Sequence, residues 1–152
     1  MSTNLIAPTR LNMATVSKPF TWPVRVYVED TDFGGVVFYA NYLKYFERAR
    51  SELLRSAGVT QQTMVDEHRV IFVVASAHVD YVAPARMDDE LTVTAVVEKL
   101  GRASVKFTHE VRRGSDLLAK AQIDVACVGI ESMRPQPIPE GMLKKLQFTD
   151  SN

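Results

Sequence analysis

Residues 41 to 57 constrain the fold more than any other stretch of the chain. Wound as a helix at about 100° per residue, they bring Tyr42, Phe46, Ala49, Leu53 and Ala57 to one side. Leu43, Tyr45 and Leu54 widen that side to roughly half the circumference, against the ~100° stripe of an ordinary surface helix. A helix this apolar needs a concave partner. Asn41 is the expected N-cap and Gly58 the C-terminal stop. Arg50 falls inside the apolar arc, and two readings of it stay open. Its stem snorkels at the arc's edge, or it pairs with Glu47 one turn back.

The rest of the chain supplies the partner. Residues 20 to 28 alternate, with Val24, Val26 and Val28 against Arg25 and Tyr27. A short helical piece is expected over 60 to 67. Residues 70 to 85 are rich in β-branched and aromatic side chains and are closed by Pro84. From 91 to 99, Leu91, Val93, Ala95 and Val97 share a face. Gly101 marks a hairpin, 103 to 112 alternate cleanly, Gly114-Ser115 turns again, and 117 to 130 form the last long strand. The end, with Pro135, Pro137 and Pro139, reads as irregular with a brief helix over 140 to 147. Hairpins force an antiparallel sheet, and one helix on one sheet makes two layers. The expected class is α+β: one long central helix wrapped by a curved antiparallel sheet, the hot-dog arrangement. Residues 1–19 read as a flexible tail and 20–148 as a single domain. The sheet's open edge invites a second copy, so a homodimer is expected.

A length of 152 residues fits one domain. Apolar residues at 46% and charged residues at 24% are ordinary globular usage, which argues against wholesale disorder. Eighteen basic and eighteen acidic residues cancel, so no nucleic-acid partner is expected, although a local basic patch for a phosphorylated ligand stays open. The tail and first strand carry Arg10, Lys18 and Arg25 before any acid, a slight basic bias on a solvated segment. The single cysteine, Cys127, has no internal partner and points to a reduced, cytoplasmic setting. No run approaches the ~20 apolar residues of a transmembrane segment. Pro8, Thr9, Arg10 and Asn12 break any signal-peptide stretch.

The chemistry concentrates in a turn. Glu29, Asp30 and Asp32 lie within four positions, Gly34 and Gly35 follow, and Val36-Val37-Phe38-Tyr39 leads into the helix. A carboxylate on a short turn reaches a bound electrophile, and glycines let backbone approach it closely. A helix N-terminus offers unpaired N–H groups to an oxygen that becomes negative. Spacing alone does not separate this from a solvated acidic turn ahead of a helix. A calcium loop does not fit, because Gly34, Val36 and Tyr39 stand where oxygen ligands are needed. His109 is read as a core residue, His78 as able to approach a cleft and His68 as a loop residue. Their spacing suggests no metal site. Cys127 is read as a buried structural thiol.

The stretch Val24-Arg25-Val26-Tyr27-Val28-Glu29-Asp30-Thr31-Asp32-Phe33-Gly34-Gly35-Val36-Val37-Phe38-Tyr39-Ala40-Asn41-Tyr42, continued by Phe46-Glu47-Arg48-Ala49-Arg50, resembles the signature of the 4-hydroxybenzoyl-CoA thioesterase family. It is most similar to the YbgC-type, tol-pal-associated acyl-CoA thioesterase branch. The segments 81 to 89 and 100 to 104 agree in order. The resemblance implies hydrolysis of an acyl-CoA thioester, with coenzyme A part of the substrate and no separate cofactor. It implies a homodimer that often pairs into a homotetramer, and an active site shared between subunits. The family's aspartate matches Asp32, and its oxyanion donor matches the backbone N–H of Tyr39. Gly34, Gly35 and Val36 are expected to line the substrate. Arg86, Arg102 and Ser104 are candidates to contact coenzyme A. One position departs: many YbgC-type members carry histidine where this chain has Tyr39, so the backbone role carries over and a histidine role does not.

Asp32 either activates water or attacks the carbonyl itself, and the sequence leaves both open. Acyl carrier protein stays open as an alternative thiol carrier. The rival functions are an enoyl-thioester hydratase or dehydratase, disfavoured because no histidine precedes His68, and a non-catalytic acyl-carrier or protein-interaction module, which has no need of Asp32.

Overall fold

The computed structural model describes residues 19–151. The expected tail therefore lies, apart from its last residue, outside the described residues. Five strands, β1 (Phe20–Arg25), β2 (Val70–Tyr81), β3 (Glu90–Leu100), β4 (Ser104–Arg113) and β5 (Asp116–Gly129), form one sheet in the order β1-β3-β4-β5-β2. Every pairing is antiparallel. The long helix α1 (Asn41–Ser56) packs on β3 and β1. This is the expected α+β hot-dog arrangement.

Strand periodicity explains the core. Side chains alternate across a sheet, so Leu91, Val93, Ala95 and Val97 of β3 turn together toward the helix, with Val105, Phe107, His109 and Val111 of β4 beside them. The helix buries Tyr42, Tyr45, Phe46, Ala49, Arg50, Leu53 and Leu54 against them, while Leu43 stays exposed. Gly58 ends the helix at φ +87°, a left-handed conformation that L side chains rarely adopt. The Gly58 N–H then reaches the Arg55 carbonyl and the Val59 N–H the Leu54 carbonyl. Thr60 caps a short helical piece, α2 (Gln61–Thr63), which continues as a π turn over Met64–His68.

Three local expectations change. First, β1 stops at Arg25, and Val28–Asp30 winds into a 3-10 turn that leaves Val28 exposed. The Asp30 carboxylate holds that turn by accepting the Tyr27 N–H at 2.8 Å. Second, Asn41 is not the cap. Ala40 occupies that position without a side-chain bond, and Asn41 Nδ2 instead donates to the Asp30 carbonyl at 2.8 Å. Third, the C-terminal helix α3 (Glu140–Ser151) is longer than expected, and it buries Met142 and Leu146 in the core.

β2 is an edge strand with an uneven fate. Val70 and Phe72 are buried, whereas most of the strand from Val74 onward is exposed. A bulge between Val74 and Ser76 resets its pairing with β5. Beyond the bulge, Ala77 pairs with buried Ile123, so Ala77, Val79 and Tyr81 take the helix-facing side. Ser76, His78 and Asp80 fall on the other face, where Ser76 bonds Asp124.

Candidate active site

The turn that carries Asp32 is a small built object. Thr31 bridges to Val37 and Val36 to Arg86, so residues 31 to 37 form a loop pinned against the segment before β3. The Asp32 N–H donates to the Val36 carbonyl at 2.9 Å and the Val37 N–H to the Ala85 carbonyl at 2.8 Å. Gly35 sits at φ +79°, which explains glycine there by conformation. At Gly34 a Cβ would meet Asp32 Oδ1 at 3.6 Å, an ordinary contact, so space alone does not demand glycine. The Gly34 N–H donates to Asp32 Oδ1 at 2.9 Å, which orients the carboxylate and leaves Oδ2 free to act. Asp32 is exposed, and Phe33 beside it is fully exposed.

The supports behind this turn come from three elements. The Phe38 N–H donates to the Asp30 carbonyl at 3.0 Å. Buried Tyr42 accepts the Ala85 N–H at 3.1 Å, and burial raises its pKa, so it stays a neutral phenol. Asp89 Oδ2 accepts from the Arg86 N–H and from Arg113 Nη1, both at 2.8 Å. Partial burial pulls the Asp89 pKa upward, but these bonds and the arginine charges outweigh it, and its net shift is down. Asp89 is therefore an ionised clamp on the 85 to 89 segment.

Helix α1 starts with donors to spare. The Asn41 N–H reaches the Phe38 carbonyl and the Tyr42 N–H the Tyr39 carbonyl, but the Tyr39 N–H donates to no acceptor among the described residues. It lies in the turn just ahead of the cap residue Ala40, beside the orphan donors expected at a helix N-terminus. The Tyr39 carbonyl also accepts from the Tyr81 hydroxyl at 3.0 Å. The Tyr81 ring stands edge-on to both Tyr39 and Tyr42, with centroids 6.1 and 5.2 Å away. Desolvation is the main reason the Tyr81 pKa is raised, which keeps its donor proton in place.

The expected site residues divide into two groups. Asp32, Gly34, Gly35, Val36, Tyr39 and Arg86 come together at one end of the sheet; Arg86 contributes backbone and leaves its side chain exposed. Arg102 and Ser104 lie at the other end, in the β3–β4 hairpin. At ~3.3 Å per residue, the length of β3 separates them from Asp32 by roughly 30 Å within one chain. His109 is buried as expected, and His78, which the bulge turns away from the helix, lines a cleft on the other face beside Asp80, 3.3 Å from it. Cys127 is buried, and burial raises its thiol pKa. Among the described residues no cluster of His, Cys, Asp and Glu is arranged to hold a metal ion, and no helix is long and apolar enough to cross a membrane.

Sequence reasoning missed Tyr81, Tyr42 and the structural role of Asp30. Each stood in a segment the sequence singled out, Asp30 in the acidic turn, Tyr42 in the helix arc and Tyr81 at the start of the 81 to 89 segment, but no local pattern revealed its hydrogen bond.

Comparison with known proteins places this geometry in context. The model of the thioesterase-like superfamily matches residues 26–146. The chain is 45% identical over 121 residues to the acyl-CoA thioesterase YbgC of Haemophilus influenzae, covering 80% of this chain and 89% of that one. It is 41% identical over 129 residues to the acyl-CoA thioester hydrolase YbgC of Escherichia coli O6:H1, covering 84% and 96%. Among solved structures, one from Bartonella henselae named a probable thioesterase matches with a TM-score of 0.77 and 32% identity, over 80% of this chain and all (100%) of that one. A Staphylococcus aureus protein solved in complex with CoA matches at TM-score 0.83 and 16% identity, over 91% of this chain and 87% of that one, a likeness of fold alone. The resemblance read from residues 24 to 42 agrees with these matches.

Proposed function

We propose, from the premise that this chain belongs to the thioesterase-like superfamily, that it hydrolyses acyl-CoA thioesters at the Asp32 turn. The observation that carries this reading is the pairing of an exposed, oriented carboxylate with an unpaired helix N-terminal donor. The thioester carbonyl oxygen takes the Tyr39 N–H, which gives up no acceptor among the described residues to do so. Asp32 Oδ2 activates a water or attacks the carbonyl, and the CoA thiolate departs without a strong general acid. None of the three histidines lies in this turn, which supports hydrolysis over hydration of an enoyl thioester.

A second copy completes the site in this reading. Phe33, Phe38, Tyr39, Leu43, Val74, Tyr81 and Val82 are all exposed around the turn and the β2 edge. So much uncovered apolar surface beside an unpaired strand suits a partner subunit. A homodimer, and a tetramer built from it, also gives Arg102 and Ser104 a place. They cannot serve the site of their own chain, but they can meet coenzyme A on a neighbour's, while Arg86 serves its own. Acyl carrier protein would present the same thioester.

The test is release of free thiol from a panel of acyl-CoAs by the wild type and by Asp32→Asn. The variant should fold, keep the wild-type oligomeric state and lose at least about a hundredfold in kcat, as for a positioned base. Near-normal turnover by it would remove Asp32 from the mechanism.

A further inference from the structure

Arg50 is a buried cation that makes no ion pair among the described residues, and the charge of Glu47 acts on it only from a distance. It is 8% exposed and sits inside the apolar arc of α1, with its Cζ 6.0 Å from the Phe107 ring centroid. Its one hydrogen-bond partner among the described residues is His109 Nε2, 3.4 Å from Nη1. His109 Nδ1 lies 2.9 Å from the Thr94 carbonyl, which can only accept, so Nδ1 carries the hydrogen and Nε2 offers a lone pair. Burial lowers the His109 pKa to about 3, and the ring is neutral. It gives Arg50 an acceptor but no charge. Glu47, the partner expected from helix spacing, is exposed and takes the Ser51 hydroxyl at 2.6 Å instead. A guanidinium has five donors, and buried charges are ordinarily paired.

Arg50 also lines a groove between α1 and β2. Its volume is about 340 Å³, and Leu43, Val74, Ala77 and Ile123 make its apolar wall. A recess of about 110 Å³ continues it under Arg50 toward Phe72 and Val125. Lys44, Glu47 and Arg50 all line the groove, so it carries a net positive charge even with the Glu47 carboxylate acting on Arg50. The groove follows the same helix that the Tyr39 N–H precedes by two residues. At 1.5 Å rise per residue, Arg50 lies roughly 16 Å along the axis from Tyr39, and its side chain leans back toward the N-terminus.

We infer that this groove seats the acyl group and that Arg50 selects acyl groups ending in a carboxylate. An apolar channel with one buried charged group, at the ~300 Å³ scale of small-ligand sites, fits a medium-length ω-carboxyacyl chain. The planar fork of arginine grips a carboxylate through two parallel bonds. The inference rests on the thioester being cleaved at Asp32. The other source of a carboxylate is Glu47 of a second copy, and the experiment separates the two.

The measurement is kcat/KM for adipoyl-CoA against hexanoyl-CoA and suberoyl-CoA against octanoyl-CoA, with oligomeric state by sedimentation. Wild type should prefer the diacid of each pair. In Arg50→Met, which keeps the apolar volume, the diacid-to-monoacid ratio should fall by about tenfold to a hundredfold, and Arg50→Lys should restore part of it. A wild-type preference for the monoacids overturns the inference even if Arg50→Met does not fold. So does a ratio unmoved by Arg50→Met, or loss of the dimer with equal loss on both substrates. If Asp32→Asn is inactive on every substrate in those cases, the hydrolytic reading stands and only the role of Arg50 falls.

Discussion

The helix-facing core and the aromatic rim around the Asp32 turn meet at α1 and are built in opposite ways. In the core, Phe46, Ala49 and Leu53 press against Leu91, Val93 and Phe107 with almost no surface left to solvent. On the rim, Phe33, Tyr39, Tyr81 and Val82 stand open, and the Tyr39 N–H has no acceptor among the described residues. Asp30 and Asp32 mark the border. The first turns inward and satisfies the Tyr27 N–H; the second turns outward and is steered by the Gly34 N–H. The contrast teaches that stability is invested in one region and left out of the other. On the proposed function, substrate or a second copy covers the groups that the rim leaves unpaired.

Five substitutions, one of them read through a pH titration, probe that contrast. Phe46→Ala empties a fully buried site and should cost ~3–5 kcal/mol in chemical denaturation. A loss under 1 kcal/mol would mean the core is less continuous than its burial implies. Asp32→Asn should show the reverse pattern: a loss of at least about a hundredfold in kcat with stability within ~0.5 kcal/mol of wild type. Asp30→Ala, two positions away, should destabilise by ~1–3 kcal/mol, because it orphans the Tyr27 N–H. If the two aspartate variants behaved alike, the border drawn between them would be wrong.

Acid tests the core through His109. Burial, reinforced by the charge of Arg50, lowers its pKa from 6.5 to about 3, against a weaker upward pull from its bond to Thr94. Between those values the unfolded chain holds a proton that the folded chain refuses. The His109 contribution is therefore fully present above pH 6.5 and is lost as pH falls toward 3, with a slope of up to ~1.4 kcal/mol per pH unit. Denaturation midpoints across that range should show the slope in the wild type, and His109→Gln should flatten it. The smallest effect belongs to Tyr81→Phe. Losing the bond to the Tyr39 carbonyl should slow turnover a few-fold, worth ~1 kcal/mol, with little change in KM.

The fold was legible because its signals are periodic. The half-apolar helix, the four-residue face of β3 and the clean alternation of β4 each repeat a pattern that only one secondary structure explains. The candidate turn stood out for a different reason: its carboxylates, glycines and helix start are contiguous. Arg102 and Ser104 were harder to place. A hairpin residue's distance from a site depends on strand length and on which subunit it faces, and neither is written locally. Asn41 was misread as a cap because a cap depends on backbone dihedrals, and here the Asp30 carbonyl claimed its side chain.

The alternating pattern of the strands and the broad arc of α1 were enough to require a two-layer α+β chain, and the contiguous 29 to 41 segment was enough to locate Asp32 beside a helix N-terminus. The outer half of β2 was decided only in three dimensions. Plain alternation from Val70 and Phe72 puts His78 and Asp80 toward the helix and Tyr81 away from it. One extra residue at the bulge between Val74 and Ser76 reverses all three. Side chains in a strand repeat every two residues, so a single insertion in the pairing swaps the faces of everything beyond it. That swap leaves His78 out of the site and lets Tyr81 hold the Tyr39 carbonyl.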